Sequence, residues 1–300
     1  MKNWAYLAFE NYENELAEEI KFRKIKKVTQ MGRLFLLEQE VKLNWAQLTL
    51  GNLETHNFKS VNEAAKILRS RNFFWGAYSY QFHRRTELIQ KTIDNRKSKA
   101  IDHLSPLPKK DFGFWCLLSE NSLLLSKNSG QPFALGQFEF NENHDEPPSR
   151  AYLKLWETLT CHVQPPKKNS LVLDLGSCPG GWTWVLKNLS CRVISVDKAP
   201  LDPRIQNDPL VQYMKKDAFK LNPLDIQNPE WLFSDIICEP EVLLELVKKW
   251  ITAHPNLKFV CTIKYKGSTD FKVTDQFLEI KGSRVVHLNY NKHELTWIKS

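Results

Sequence analysis

The chain has 300 residues, of which 42% are hydrophobic and 25% are charged. This composition is typical of a soluble globular protein, and the length is typical of two domains of ordinary size. No apolar run approaches the roughly 18 residues that a membrane-spanning helix needs, and acidic Glu10 and Glu13 interrupt any signal-peptide core. The formal charge of +8 favours an anionic partner such as nucleic acid. We therefore expect a cytoplasmic protein that binds no membrane.

The cysteines argue against two further kinds of site. Six are present, and the closest two, Cys178 and Cys191, are 13 residues apart in the sequence. Zinc half-sites and disulfide scaffolds have more closely or regularly spaced cysteines. We expect reduced, mostly buried thiols and no metal site.

The first 143 residues predict an α+β domain. WAYLAF, from Trp4, predicts a strand, and ENELAEEIKFRKIKK predicts an amphipathic helix that reaches Lys27. RLFLLEQEV and LNWAQLTL predict further strands, and FGFWCLLSE with SLLLSKN predicts a strand pair. The next segment, QPFALGQFEFNENHDEPPSR, is typical of a linker because of its Pro, Asn and acidic residues. We place the domain boundary near Asn143.

Two basic stretches lie in this N-terminal half. The first is KFRKIKK at 21–27, and the second runs over 84–110 and includes NRKSK and PKK. The alternative for each stretch is a solvated helix face or loop without a binding role. Aromatic residues beside the second stretch favour RNA, because base stacking and phosphate neutralisation act together in RNA recognition. These aromatic residues are Phe73, Phe74, Trp75, Tyr78, Tyr80 and Phe82.

From residue 144 onward, predicted strands alternate with helices, which is typical of a parallel sheet covered by helices. SRAYLKLWETLTCHV has helical apolar spacing. LVLDLG, RVISVD, WLFSDII and KFVCTIK then predict strands, and the short segment VQYMKKDAF supplies the third strand in chain order. GGWTWVLKNL and EVLLELVKKWITA predict helices. RVVHLNY and HELTWIKS predict a closing hairpin that turns at Asn291 and Lys292. Residues 144–300 therefore predict an α/β sheet of seven strands whose last pair is antiparallel.

A glycine-rich turn follows the first of these strands. DLGSCPGGW, residues 174–182, has the layout of nucleotide-type cofactor sites at the carboxyl ends of parallel strands. Its glycines allow the backbone to approach a ligand closely, and its proline stiffens the turn. We interpret this segment, the glycine turn, as the site for S-adenosylmethionine, with Asp174 facing the cofactor's ammonium group; a structural tight turn is the alternative. The predicted contacts are Asp174, Gly176, Ser177, Cys178, Pro179, Gly180, Gly181 and Trp182.

Carboxylates also end the next two strands. Asp197 closes RVISVD about twenty residues further on, where a carboxylate can accept hydrogen bonds from both ribose hydroxyls. Asp217, in MKKDAF, is placed to bind the adenine amino group, with a backbone contact from Ala218. For Asp217 the alternative is a helix N-cap.

The fourth and fifth strands end in Asp235 and Lys264. Asp235 is expected beside the methyl donor and is therefore also a predicted cofactor contact. A lysine that leaves a buried strand either extends to water or works at a site. Lys266 lies on the same strand face by the period of two and competes with Lys264 for such a role.

Together, these segments resemble the FtsJ-type ribose 2′-O-methyltransferases. The resemblance rests on SRAYLKL with Lys154, DLGSCPGG, FSDIICEP with Asp235, IKYKG with Lys264 and KHELTW with Glu294. It implies a Rossmann-like class I methyltransferase sheet, S-adenosylmethionine as cofactor and a catalytic Lys–Asp–Lys–Glu tetrad, here called the tetrad.

The proline-rich junction before SRAYLKL and the CPGGW form of the turn are most similar to the branch that methylates a cytidine of 23S rRNA. That branch carries a THUMP-like N-terminal domain, so RNA, and 23S rRNA in particular, is the implied partner. The resemblance is strong over 147–300 and weak over 1–143. Departures from the family pattern are the short segment YKGSTDF with its Lys266, and the additional carboxylate of Glu239.

The resemblance also implies a mechanism. A ribose hydroxyl is a poor nucleophile until its proton is withdrawn. Lys264 is the candidate base. Asp235 would orient Lys264, and Glu294 would hold Lys154 or the ribose. Spacing alone leaves open which lysine is the base.

Three alternatives remain at the level of the sequence. The acceptor can be another RNA, such as a tRNA, a different rRNA position or an mRNA 5′ end. The chain can instead be an RNA-binding assembly factor that holds S-adenosylmethionine without turnover, although such a factor needs no second lysine. A protein or small-molecule methyltransferase fits the glycine turn but leaves Lys154 and Glu294 unexplained.

Overall fold

The computed structural model describes residues 4–72, 74–93 and 100–300. The chain forms two compact units, one of residues up to 102 with 106–140 and one of residues 103–105 with 141–300. Within the described residues, no helix is both long and apolar enough to cross a membrane.

The N-terminal unit contains two four-stranded sheets in its described part. Its strands are β1 (Trp4–Ala8), β2 (Lys27–Met31), β3 (Leu34–Leu37), β4 (Ala46–Leu50), β5 (Glu54–Asn57), β6 (Trp75–Tyr78), β7 (Gly113–Ser119) and β8 (Ser122–Ser126), and its helices are α1 (Glu13–Phe22), α2 (Val61–Arg69) and α3 (His83–Ile93). The first sheet has the order β2-β3-β1-β4 and is antiparallel. The second has the order β5-β8-β7-β6, with β6 and β7 parallel and the other neighbours antiparallel.

Strand β7 shows how this unit buries two cores at once. Phe114 and Cys116 pack into a cluster with residues of β1, β3 and β4. Trp115 and Leu117, which alternate with them, pack into a second cluster with residues of α2 and α3. Because successive side chains of a strand point to opposite faces, one apolar strand supplies both layers. The unit is therefore α+β, as the sequence predicts.

The end of α1 departs from the prediction. The helix ends at Phe22, Lys24 adopts a φ of 55°, and Lys27 already begins β2 opposite Leu37. The prediction of a continuous helix to Lys27 is therefore wrong. Pairing with β3 outweighs the helical propensity of the lysines, which is a weak local preference. Strands β5 and β6 and helices α2 and α3 were not anticipated either.

The C-terminal unit contains a seven-stranded sheet within residues 141–300, all of which are described. Its strands are β9 (Leu171–Leu175), β10 (Arg192–Asp197), β11 (Val211–Lys215), β12 (Trp231–Ser234), β13 (Lys258–Lys264), β14 (Ser283–Val286) and β15 (Glu294–Lys299), and its helices are α4 (Tyr152–Glu157), α5 (Gly181–Asn188), α6 (Pro203–Gln206), α7 (Pro240–Ala253) and α8 (Phe271–Glu279). The order is β11-β10-β9-β12-β13-β15-β14. Strand β15 is antiparallel to both neighbours, and the other pairs are parallel. The predicted seven-stranded, Rossmann-like sheet is confirmed.

The strand order reverses between β9 and β12, which is where open α/β sheets bind ligands, beyond the carboxyl ends of their strands. Asp174, Asp197 and Lys264 lie at the carboxyl ends of β9, β10 and β13, and Asp235 directly follows β12. The fold therefore brings the predicted residues of four strands to one edge of the sheet.

The closing hairpin differs from its prediction in the turn. Residues 287–293 join β14 to β15, so the predicted two-residue turn at Asn291 and Lys292 lies inside a longer loop. The backbone N–H groups of Asn289 and Tyr290 donate to Glu157 of α4, which withdraws them from strand pairing. The seven-residue loop, here called the β14–β15 loop, lies beside the tetrad.

Candidate active site

The four residues of the tetrad form one chain of ion pairs. Lys154 Nζ lies 2.7 Å from both carboxylate oxygens of Asp235 and 3.1 Å from Glu294 Oε1. Lys264 Nζ lies 3.1 Å from Asp235 Oδ1 and donates to the backbone carbonyl of Asp235 at 2.6 Å. The order of charges along the chain is Lys264, Asp235, Lys154, Glu294. Residues far apart in the sequence are thus brought together as the resemblance implies.

The supporting elements explain this geometry. Lys264 ends β13, Glu294 begins β15, and the two are direct partners in the antiparallel ladder. Directly opposed residues of such a ladder place their side chains on the same face. Helix α4 supplies Lys154. Lys154, Lys264 and Glu294 thus lie on regular elements, which hold side chains more accurately than loops do, and Asp235 directly follows one.

The two lysines differ in their surroundings. Lys154 is 8% exposed and directs its three N–H donors at three carboxylate oxygens. The side chain of Lys264 is 21% exposed and contacts Asp235 alone among the carboxylates of the tetrad. Lys154 is therefore fixed as a buried cation, whereas Lys264 faces the accessible side of the cluster.

Lys266, the competing candidate, lies outside the tetrad. It follows the end of β13, its side chain is 73% exposed, and its Nζ lies 2.6 Å from Glu239 Oε1. The additional carboxylate of Glu239 therefore has a partner on the surface. The period-of-two argument fails for Lys266 because the strand ends at Lys264.

The glycine turn packs against the residue that follows Asp235 of the tetrad. Gly176 has a φ of 74°, and a Cβ at this position would lie 2.8 Å from the Cβ of Ile236, the residue after Asp235. Gly180 has a φ of 112° and caps α5 in the left-handed region. Residues other than glycine rarely adopt such backbone dihedral angles. The close approach of Gly176 to Ile236 places the turn against the segment that carries Asp235.

Asp174 is fully buried, and a hydrogen bond from the neighbouring helix α5 holds its carboxyl group. Thr183 Oγ1 lies 2.6 Å from Asp174 Oδ2 and 2.8 Å from Ser195 Oγ. Burial raises the pKa of Asp174 to about 7, the hydrogen bond from Thr183 opposes that rise, and the nearby charges of Asp235 and Asp197 add to it. A buried carboxyl of this kind would gain from a cationic ligand group.

Asp197 and Asp217 occupy the rim. Asp197 accepts the backbone N–H of Cys178 at 3.0 Å and that of Ala199 at 2.9 Å, so its carboxylate lies against the glycine turn. Asp217 caps a short 3₁₀ helix by accepting from Phe219 N at 3.0 Å and pairs with Lys198 at 3.0 Å. The N-cap alternative for Asp217 is therefore realised in the structure, and its contact with adenine stays a prediction.

The other predicted cofactor contacts differ in accessibility. Cys178 is exposed, and Ala218 is buried at the start of the 3₁₀ helix. The indole of Trp182 is buried and donates to Ala151 O at 2.9 Å, so its ring belongs to the core. The Ser177 hydroxyl oxygen is buried and has no hydrogen-bond partner among the described residues. A polar atom left in this state fits a site that receives a polar ligand.

Together, these residues fit S-adenosylmethionine. A buried carboxyl at Asp174, a rim carboxylate at Asp197 and the unpartnered hydroxyl of Ser177 lie along or beside one glycine turn. A cationic amino-acid group and ribose hydroxyls are the ligand features that such groups recognise.

Several supporting residues were missed by the sequence interpretation. Thr183 and Ser195 hold Asp174, and Ile236 contacts Gly176. Thr183 could have been found from its position on the first turn of the predicted helix, on the side facing β9. Ile236 gave no signal because nothing in the sequence distinguishes it from other apolar residues after a strand.

The N-terminal basic stretches are partly neutralised. In KFRKIKK, Arg23 pairs with buried Glu19 at 3.3 Å and Lys26 pairs with Glu38 at 2.8 Å, while Lys21 and Lys24 are exposed. Of the second stretch, NRKSK at 95–99 lies outside the described residues.

The aromatic residues beside the second stretch are only partly available. Trp75 and Tyr78 are buried in the two cores, so the expectation that their rings stack on bases is wrong. Phe82 packs against the core, whereas Tyr80 is 39% exposed, and Lys110 lies 4.3 Å from the ring centroid of Phe74. Phe73 lies outside the described residues.

The C-terminal unit is similar to known methyltransferases. Residues 147–288 match the family model of the FtsJ-like methyltransferases. A ribosomal RNA large subunit methyltransferase M from Halorhodospira halophila (strain DSM 244 / SL1) is 36% identical over 107 residues, which cover 35% of this chain and 31% of that protein. The protein of the same name from Xylella fastidiosa (strain M12) is 34% identical over 145 residues, which cover 45% of this chain and 40% of that protein. The matched segment thus spans less than half of either relative.

Among solved structures, a putative hemolysin from Streptococcus thermophilus is 17% identical to this chain. The match covers 59% of this chain and 76% of that chain at a TM-score of 0.41, a likeness too low to carry a conclusion.

Proposed function

We propose that this protein is an S-adenosylmethionine-dependent ribose 2′-O-methyltransferase of RNA, with a cytidine of 23S rRNA as its target, because residues 147–288 match the family model of the FtsJ-like methyltransferases. The observation that carries the proposal is the tetrad, a continuous chain of ion pairs in which Asp235 adjoins Ile236, the residue against Gly176 of the glycine turn. The choice of 23S rRNA follows the relatives named as methyltransferases of the large ribosomal subunit RNA.

S-adenosylmethionine, when bound, would supply a methyl group on a cationic sulfur. In the proposal, Asp174 and Ser177 hold the amino-acid part of the cofactor, and Asp197 accepts its ribose hydroxyls. Asp217 and the backbone of Ala218 are proposed to contact the adenine. The contacts of Asp197 with Cys178 and Ala199 support its role, because they hold the carboxylate in one orientation at the turn.

Lys264 is the proposed general base, which accepts the proton of the ribose hydroxyl. Lys154 already engages three carboxylate oxygens, so it serves better as a fixed positive charge than as a base. Lys264 is more accessible and is held by both the carboxylate and the carbonyl of Asp235. Glu294 orients Lys154, and Asp235 orients both lysines. General bases that are held in this way commonly contribute about 10²- to 10⁴-fold to a rate.

The basic N-terminal unit is proposed to supply RNA affinity, as a THUMP-like domain would. Exposed Lys21 and Lys24 can neutralise phosphates, and each neutralised phosphate releases counterions. The catalytic unit then needs to accept only one nucleotide of the bound RNA.

The proposal is tested by measuring radioactive methyl transfer from S-adenosylmethionine to RNA of a strain from which the gene has been deleted, followed by mapping of the methylated nucleotide. We expect one 2′-O-methylated cytidine in 23S rRNA and no further methylation of RNA from the parent strain. Methylation of tRNA or of a base nitrogen would contradict the proposal. Cofactor binding without transfer to any RNA would favour a non-catalytic binding factor.

A further inference from the structure

Glu157 is a buried carboxylate that the proposed mechanism does not use. It ends α4, three residues after Lys154, and is 3% exposed. Its Oε1 accepts from both the backbone N and the side-chain Nδ2 of Asn289 at 3.0 Å, and its Oε2 accepts from Tyr290 N at 3.2 Å. Three N–H groups of the β14–β15 loop therefore converge on one carboxylate of α4.

The other end of the same loop holds Glu294 of the tetrad. Asn291 Nδ2 donates to Glu294 O at 3.2 Å, and Lys292 N lies 3.4 Å from Glu294 Oε1. His287 Nε2 lies 3.0 Å from Lys292 O and braces the loop from within. The loop is thus hydrogen-bonded along its length, from Glu157 at one end to Glu294 at the other.

These contacts close a ring. Helix α4 joins Glu157 to Lys154, Lys154 pairs with Glu294 at 3.1 Å, and the loop leads from Glu294 back to Glu157. We propose that Glu157 is a positioning residue for methyl transfer, which sets the distance between Lys154 and Glu294 by holding the β14–β15 loop against α4. This inference rests on the proposed function of the tetrad.

The burial of Glu157 indicates that this residue does more than fill space in the core. Burial raises the pKa of Glu157 to about 7, and the hydrogen bonds from Asn289 and Tyr290 only partly oppose that rise. An apolar side chain of similar volume would avoid the desolvation cost but would leave the loop's N–H groups without an acceptor. The carboxylate of Glu157 thus serves as the hydrogen-bond acceptor that holds the N–H groups of the β14–β15 loop.

The test exchanges the two partners. Glu157→Gln keeps the shape but replaces one acceptor oxygen by a donor, so it should release Asn289. Since a displacement of about 1 Å at a reacting group can cost on the order of 10²-fold in rate, we expect kcat to fall by about 10- to 100-fold, with KM for RNA and the affinity for S-adenosylmethionine within twofold of the unmodified protein. Asn289→Asp in the Glu157→Gln background restores the side-chain hydrogen bond but not every contact of the backbone N–H groups, so it should recover part of kcat.

Glu19 offers a matched control. It is also fully buried, and it captures the backbone N–H groups of Asn44 and Trp45 in the N-terminal unit. Glu19→Gln should lower the midpoint of thermal unfolding and leave kcat unchanged. An inactive unmodified protein would reject the proposed function, whereas an active one with unchanged kcat in Glu157→Gln would overturn only the positioning role. A loss of kcat that Asn289→Asp does not reduce at all would also overturn it.

Discussion

The two units of this protein use charge in opposite ways. In the C-terminal unit, Lys154 and Glu294 are buried and paired at the edge of the sheet. In the N-terminal unit, Lys21 and Lys24 project from the surface around the end of α1. Burying a charge costs several kcal/mol unless partners compensate, whereas an exposed charge costs little and acts on ligands at a distance. The first arrangement is suited to orienting a reaction, and the second to attracting a polyanion.

The largest effect should come from Lys264. Lys264→Ala removes the proposed base but leaves Asp235 paired with Lys154, so the cluster keeps a buried ion pair. We expect kcat to fall by about 10²- to 10⁴-fold, the range that general bases commonly contribute. Binding of S-adenosylmethionine, measured by calorimetry, should be unchanged.

Lys266→Ala is the matched control for this change. It removes the same side chain two residues further on, where Lys266 pairs with Glu239 on the surface. Activity should stay within twofold of the unmodified protein. If both variants lose activity equally, or if Lys264→Ala stays fully active, the contrast between buried and exposed charge does not mark the catalytic residues.

The catalytic unit was largely predictable because its signals are local. The strands of LVLDLG, RVISVD and KFVCTIK are largely apolar, as buried parallel strands require, and each carries a charged residue at or next to its carboxyl end. The partners of the tetrad were anticipated only through the family resemblance. Nothing local in the sequence shows that Glu294 lies opposite Lys264, because ladder register is a tertiary property.

The N-terminal unit was less predictable for the same physical reason. Strand β5 is ETHN, which contains no apolar residue, and it forms because β8 offers it an antiparallel partner. Trp75 and Tyr78 were assigned to RNA from their position beside basic residues, yet the alternation of β6 carries them into the cores. Local composition indicates an RNA-binding surface at these two residues, whereas the packing of β6 against its neighbours buries both rings.

A medium effect should appear in the pH dependence of cofactor binding. The pKa of Asp174 is raised to about 7, chiefly by burial. If its ionised form meets the cofactor's ammonium group, affinity is lost as pH falls through about 7 and gained as pH rises. Between pH 6 and pH 7.5 we therefore expect the affinity for S-adenosylmethionine to rise by up to about tenfold, since one pKa unit corresponds to a factor of ten.

Calorimetry in buffers of different ionisation enthalpy checks this expectation, because binding below pH 7 should release a proton. Asp174→Asn keeps the side chain's size and should remove both the proton release and the dependence on pH. A steep pH dependence that persists in Asp174→Asn would assign the titration to another group and would separate Asp174 from the cofactor.

The smallest effect should come from the surface charges of the N-terminal unit. Reversing Lys21 and Lys24 to Glu should weaken RNA binding a few-fold at physiological salt and reduce the slope of log affinity against log salt, because each phosphate contact contributes about 0.7 to 0.9 of that slope. Lys272→Glu with Lys281→Glu changes the net charge of the protein equally, at exposed positions of the catalytic unit. If attraction is local to the N-terminal unit, only the first pair changes the slope, whereas an equal effect of both pairs would reduce the role of that unit to its share of the total charge. In neither pair should kcat at saturating RNA fall, because none of the four lysines belongs to the tetrad.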